Sequence, residues 1–435
     1  MKQVDGNAVG TQRSWGICAL ALASAVGLLS DPQGAKGQTI YGDTLDIAAA
    51  APSVTPGAEV EDHLDPFIGD KFTTDDNLYR LPSGTAYLAA VGPNAVRSDQ
   101  FNTASIGIDG QWTAGRQIID LDLRADDNRF AHNNDLNNVS GLGKLAWNWR
   151  VGSLFSGRLG ADFNRSLASF TNTTFYIKDL VNQSEYYAAG RYNVGPRWAV
   201  FGGVLNASTT VSAAAAQAND FKSFTENAGI DYVAEVNKTL GFEYRNTNAH
   251  YTHLVDLLSS DYREGSAQLL IGYALGDKTQ FRASGGYLKR RYDHPSQAFQ
   301  GFSGDVWRAS IQWQPTEKIQ FVGTAWRQLQ AYLSTNAAYY VSTGESLSPV
   351  WAVSDKLKFS LVASYEKQDY LGANPVVVAL PSRHDKIAAA QVGIAYTPTR
   401  SISLNVSYRS EHRSSDLIQY RYNDNLSSLS ATFSF

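Results

Sequence analysis

The sequence predicts an all-β fold, a transmembrane antiparallel up-and-down β-barrel of about 18 strands with both termini in the periplasm. Runs of alternating apolar and polar residues recur from Pro66 onward, separated by tight turns about 40 residues apart. The last run ends the chain at Phe435. Composition removes the competing classes. Charged residues are only 18% of the 435, aromatics reach 12%, and mean hydropathy is slightly negative. No apolar run reaches the ~18 residues of a spanning helix. A disordered chain is excluded by 43% hydrophobic content, and a net charge of -4 shows no nucleic-acid footprint.

The first segment reads as a signal peptide covering residues 1–37. Lys2 and Arg13 supply a positive n-region. Ile17 to Leu29 forms an apolar core too short to span as a mature helix, and Ala35-Lys36-Gly37 fits a small-x-small cleavage site. Cys18 lies at the start of that core, the wrong place and neighbours for a lipoprotein cysteine. Cleavage removes three positive and two negative side chains and leaves a net charge of -5. Cys18 and Met1, the only cysteine and methionine, leave as well, so the secreted chain has no disulfide. Residues 38–64, rich in Ala, Pro, Thr and acids, are expected to form a flexible periplasmic tail, with Pro52 stopping the alanine run before it. A plug domain needs more chain. Residues 65–435 are then the barrel.

Eight tight turns are legible: Asp109–Gly115, Val151–Ser153, Val194–Pro196, Val236–Lys238, Gly276–Lys278, Pro315–Glu317, Ser354–Lys356 and Pro398–Arg400. Gly, Asn, Asp and Pro suit such reversals. They join sixteen strands, and one unpaired strand at each end gives eighteen. Within strands the side chains alternate with period two. Ile402, Leu404, Val406 and Tyr408 oppose Ser403, Asn405, Ser407 and Arg409, and Trp307, Ala309, Ile311 and Trp313 oppose Arg308, Ser310 and Gln312. A soluble sandwich alternates as well. Three features favour the membrane: stripes that end in Tyr or Trp, strict alternation of long and short connections, and the terminal Phe435 strand. That last strand resembles the assembly signal read by the barrel-assembly machinery. The resulting location is the outer membrane of a Gram-negative bacterium, against outer-membrane lipid. Eighteen tilted strands give a backbone cylinder roughly 35 Å across and a wet lumen on the order of 20 Å.

The inward face then carries Asp120, Asp122, Arg124, Arg158, Asp162, Glu243, Arg245, Arg282, Arg308, Glu366 and Arg409. These either form a polar track for a hydrated solute or pair across strands. No catalytic, metal or cofactor site is expected. The seven histidines sit in the tail, in loops or near strand ends. His250 and His253 lie at a loop entrance, where a solvated loop is the bland reading and a metal pair the sharp one. Asp75-Asp76-Asn77 resembles the start of a calcium loop but lacks its later glycine and glutamate. Asn138-Val139-Ser140 matches a glycosylation sequon without meaning in a bacterium. Ser208–Asp220, with Ala213–Ala216 inside it, is either a constriction helix or an external loop.

Pro66–Pro82 reads PFIGDKFTTDDNLYRLP. A first strand followed by D-D-N-L-Y-R-L-P resembles the opening of the exopolysaccharide-operon outer-membrane barrels, an EpsL-like family grouped with β-barrel porins. The resemblance implies a porin-like channel exporting a capsular or secreted polysaccharide chain with periplasmic polysaccharide-export and co-polymerase proteins, and no catalytic residues travel with it. Asp75, Asp76, Asn77, Tyr79 and Arg80 either close the first hairpin by side-chain-to-backbone hydrogen bonds or line the external mouth. The tyrosine excess suits interfacial girdles first and a sugar path second. The alternative is a general or oligosaccharide-specific uptake porin. Against it stands the modest length of the loop at Ser169–Val181, since uptake porins fold a long third loop inward. A barrel enzyme needs a compact polar constellation at the rim, and none is evident.

Overall fold

A computed structural model describes residues 62–435 apart from 93, 173–175, 236, 254–260, 294–299, 335–336 and 373–381. The expected signal peptide and almost all of the expected tail lie outside the described residues. The first nine strands are β1 (His63–Asp75), β2 (Asp99–Ala114), β3 (Gln117–Phe130), β4 (Asn138–Val151), β5 (Phe155–Leu167), β6 (Leu180–Val194), β7 (Trp198–Val211), β8 (Phe221–Glu235) and β9 (Lys238–Tyr251). Then come β10 (Tyr262–Leu275), β11 (Thr279–Tyr292), β12 (Phe302–Thr316), β13 (Ile319–Ser334), β14 (Ala337–Ala352), β15 (Leu357–Leu371), β16 (Arg383–Thr399), β17 (Ile402–Ser415) and β18 (Tyr422–Ser434). All pair with their sequence neighbours, and β1 also pairs antiparallel with β18 from Phe67↔Ser434 to Asp75↔Leu426. The ring is closed, so no strand edge leaves backbone groups unsatisfied in lipid. Among the described residues the one α-helix is α1 (Thr85–Ala89), in the β1–β2 connection.

The expected eighteen strands and even strand number are present. β1 starts at His63, just ahead of the expected Asp65. The first reversal is shorter than expected. Asp109 to Ala114 belong to β2, and only Gly115-Arg116 turns the chain. Asp109 lies opposite Asp122 in the ladder and 3.2 Å from His63. Gly152 and Gly276 both have φ of 60°, the left-handed geometry that a tight hairpin demands. The alternation of short and long connections has one exception. At the loop end, β13 and β14 are joined by residues 335–336 alone.

The outer face is apolar and exposed. At the tight-turn end it carries registered aromatic pairs across neighbouring strands: Phe155 with Tyr192 and Trp198 with Tyr232, both 4.7 Å between centroids, then Trp313 with Phe321 at 5.3 Å and Trp351 with Phe359 at 5.8 Å. Such pairs each add roughly 0.5–1.5 kcal/mol beyond burial and form an interfacial girdle. A second ring of exposed aromatics, including Phe163, Tyr186, Tyr244, Tyr287, Tyr365 and Tyr408, lies further up the same face. The inner face is polar in most strands. On β7 it is apolar, with Phe201 and Leu205 buried along the wall.

Candidate functional site at the outer mouth

At the loop end of the barrel, two connections fold inward and meet. The β1–β2 connection begins with the motif residues. Asn77 donates from Nδ2 to the carbonyls of Leu81 (2.9 Å) and Asn423 (2.8 Å), while its Oδ1 accepts the Leu81 N–H. Arg80 is the only described non-glycine residue with positive φ (56°), a conformation that costs on the order of 1–2 kcal/mol. It is held there by its guanidinium, 2.9 Å from Asp75 and 2.7 Å from Asp424 on β18. Burial alone works against the Arg80 charge, but the two carboxylates more than compensate and raise its pKa. Asp76 accepts from Asn425 at 2.7 Å. The motif therefore rivets β1 to β18. The carboxylates of Asp75, Asp76 and Asp424 approach one another, but Arg80 already bridges two of them.

Tyr79 points from this rivet into an apolar cluster with Leu78, Leu81, Phe101, Phe130, Leu136 and Phe170. Its ring lies 4.9 Å from Phe170 and its hydroxyl donates to Asn133 at 3.0 Å. Burial, with smaller contributions from Asp99 and Asp135, pushes the Tyr79 pKa up to about 12. Phe170 opens the 3-10 turn Phe170–Asn172 in the β5–β6 connection. The tip of that turn reaches β15, β16 and β17, past β4, β3, β2, β1 and β18 in the ring. Arg413 donates to the Thr171 carbonyl at 2.6 Å and to Asn172 Oδ1 at 2.8 Å. Arg383 and the Tyr370 hydroxyl donate to the same Oδ1, at 3.3 and 3.1 Å.

This anchor is built from buried charge. Asp385, 1% exposed, accepts from Arg383 Nη2 (2.8 Å) and Arg413 Nε (2.9 Å). Arg383 is sandwiched between the rings of Tyr420 and Tyr370, 3.3 and 4.0 Å from their centroids. Burial, with Tyr332 adding, pushes the Tyr420 pKa up to about 12, so its ring stays neutral. The chain of polar contacts continues from Gln368 to Glu366, Ser342 and Trp326 on β13. On the other side Glu411 accepts from Tyr422 at 2.5 Å and pairs with Arg409. Groups of polar contacts thus line the inner wall from β13 to β1.

The expected inner-face residues all have the opposite parity to the exposed apolar set. Many are tied to wall neighbours. Asp120 accepts from Gln111 and Asn148, Arg124 pairs with Asp126 at 3.0 Å, and Glu243 binds Asn227 and Arg245. Arg158 lies over Tyr187, Asp122 faces Lys144, and Asp162 faces Glu185. Glu366 and Arg409 belong to these groups of contacts, Arg308 is half-buried, and Arg282 is exposed. Phe435 is 67% exposed, its N–H on the Pro66 carbonyl and its ring 4.8 Å from Phe433.

Two loop expectations need correction. The Ser208–Asp220 segment forms no constriction helix; its second half is a loop-end connection held to the wall. β7 continues to Val211, and Ala213 is tethered to Asp179 at 2.8 Å beside its own wall, followed by the short 3-10 turn Ala214–Asn219. The inward element is instead the β5–β6 connection, whose modest length hid its reach. Arg383, Asp385 and Arg413 were not singled out in the sequence. Their only signal is that charged residues alternate inward near the ends of β16 and β17. The loop histidines do pair with carboxylates, including His250 with Asp261 (2.6 Å) and His253 with Asp220 (3.3 Å). Thr252 approaches His253 on the same Nδ1 that faces Asp220, which is no relay from hydroxyl through imidazole to acid.

Residues 250–435 match a family model described as "Putative beta-barrel porin 2", which is less than half of the chain. No curated protein matches. Among solved structures, OccK2 (OpdF) of Pseudomonas aeruginosa is similar at 14% identity, covering 86% of this chain and 98% of that one, with a TM-score of 0.45. A BenF-like porin from Pseudomonas fluorescens Pf-5 matches at 10% identity, 86% and 99% coverage and a TM-score of 0.46. OpdK of P. aeruginosa matches at 12% identity, 86% and 99% coverage and a TM-score of 0.44. With its closed ring, lipid-facing belt and polar interior, the chain is a porin-like channel of the Gram-negative outer membrane.

Proposed function

We propose that this channel is an uptake porin for small hydrophilic solutes of oligosaccharide size or below, and that the anchored β5–β6 turn is its size filter. The observation that carries this reading is the clamp on Thr171 and Asn172. A turn fixed to buried arginines across the barrel subdivides a lumen that is otherwise on the order of 20 Å wide. A fixed constriction suits solutes that pass singly through weak contacts, and it obstructs a growing polysaccharide. In this reading the inner-face charges from Asp120 to Arg409 line the solute path, and their mixture of both signs favours neutral or weakly charged cargo. The motif residues Asp75, Asn77 and Arg80 serve as the rivet beneath the constriction. The exposed terminal ring of Phe435 supports recognition by the assembly machinery; Phe435→Ala should lower folded barrel in cells while leaving refolding from urea into detergent unchanged.

Liposome swelling with sugars of increasing size tests the filter. Mono- and disaccharides should enter quickly and larger oligosaccharides at a sharply reduced rate. Passage of long dextrans through the wild-type channel sinks this reading. Loss of surface polysaccharide on deletion, with sugar uptake intact, would instead establish export.

A further inference from the structure

Above the second aromatic ring, two sectors of the outer wall bring cations face to face. Phe163, Tyr287 and Tyr365 are each followed two residues later, on the same face, by a cation: Arg165, Lys289 and Lys367. Arg263 directly opposes Arg291 across β10 and β11, and Lys367 directly opposes Lys386 across β15 and β16. Like charges facing each other weaken a sheet unless an anion intervenes. The acids nearest the first of these sectors are already engaged, Asp261 by His250 at 2.6 Å. Arg263 touches Asp293 at 3.1 Å yet remains 70% exposed. Asp305, on the next strand, is engaged by Arg327 at 3.3 Å. Arg165, Lys289, Arg291 and Lys386 have no ion-pair partner among the described residues.

The height of these groups matters. Lys289 and Arg291 stand about ten and twelve residues up β11 from its tight-turn end, on the order of 25–30 Å along the membrane normal for strands tilted ~40°. An apolar band about 25 Å tall ends there. Just below, Tyr287, Leu269 and Ile271 are more than two-fifths exposed on the same face.

We propose that Arg263, Lys289 and Arg291 form a binding site for the phosphate groups of the outer leaflet's phosphorylated glycolipid, whose acyl chains lie against Tyr287, Leu269 and Ile271. Guanidinium and ammonium groups donate several charge-assisted hydrogen bonds to phosphate oxygens, and the bound anion relieves the Arg263–Arg291 repulsion. Lys367 and Lys386 oppose each other on another sector, but Asp369 and Glu345 share their face, so the site is assigned to β10 and β11. The site is independent of what crosses the lumen.

The test titrates the full chain in detergent with diphosphoryl lipid A, with the same lipid dephosphorylated, and with inorganic phosphate. Binding is read by native mass spectrometry and by the unfolding temperature. The double variant Lys289→Gln, Arg291→Gln should bind diphosphoryl lipid A about ten-fold more weakly. Arg129→Gln, whose native charge is already paired with Asp127 at 2.9 Å, should stay within about two-fold. Heat-modifiable gel mobility verifies that each variant is folded. Equal affinity of wild type and double variant overturns the proposal. So does equal affinity for the dephosphorylated lipid, or stabilisation by inorganic phosphate as large as that by the lipid.

Discussion

Asp385 is flanked by two arginines whose other donors reach the tip of a distant loop, so one carboxylate sets both the charge balance and the loop position. Asp385→Asn leaves Arg383 and Arg413 without their buried counter-charge. Such losses run to about 3–5 kcal/mol, and urea titration in detergent should show a lowered midpoint together with noisier single-channel currents. Asn172→Ala separates the two effects. It removes the shared acceptor at a local cost of about 1–3 kcal/mol, so conductance should rise while the barrel's urea midpoint stays near wild type. An unchanged conductance would mean that the turn does not limit the pore. Tyr79 supplies a pH test at the same site. Its folded pKa, raised to about 12 from the ordinary value of 10.0, contributes stability that is whole below pH 10 and lost as pH rises towards 12. Hydrogen exchange in residues 76–92 should therefore accelerate above pH 10 in the wild type, and the extra acceleration should be absent in Tyr79→Phe.

Strands and their turns were legible in the sequence because period-two alternation is written into every stretch of the wall, as Ile402–Arg409 illustrates. Loops carry no such period. Ser208–Asp220 drew attention through its alanines, yet helix propensity acts weakly on so short a segment, and the tether from Ala213 to Asp179 decided its path. The path of the β5–β6 turn is not legible locally because its anchor lies in β15, β16 and β17, some two hundred residues on. The motif's residue types suit hairpin closure and an external mouth alike, and its side chains tie β1 to β18 at the loop end. Packing inside a strand pair was equally silent. Gly229 on β8 lies under the Phe201 ring of β7, where a Cβ would meet Cζ at 2.2 Å. Gly229→Val should lower the urea midpoint by the equivalent of about 1–3 kcal/mol, and adding Phe201→Ala should restore part of it.

For the molecule as a whole, strand number, closure and membrane faces follow from pattern alone, whereas the bore does not. Bore depends on which loop enters, and loop entry depends on single side chains such as Arg413. The ring order also has a temporal side. β1 and β18 are the two ends of the barrel sequence, and Arg80 and Asp424 meet across 344 positions. That bridge, and the Asn77 bond to Asn423, have no partner until the last strand is laid beside the first. Tyr79 is positioned by the same hairpin, and Phe170 packs on Tyr79. These contacts at the mouth therefore require the sealed cylinder. A half-built sheet holds its two ends apart, and on the proposed reading an unfinished channel would lack the firm sieve of the finished one.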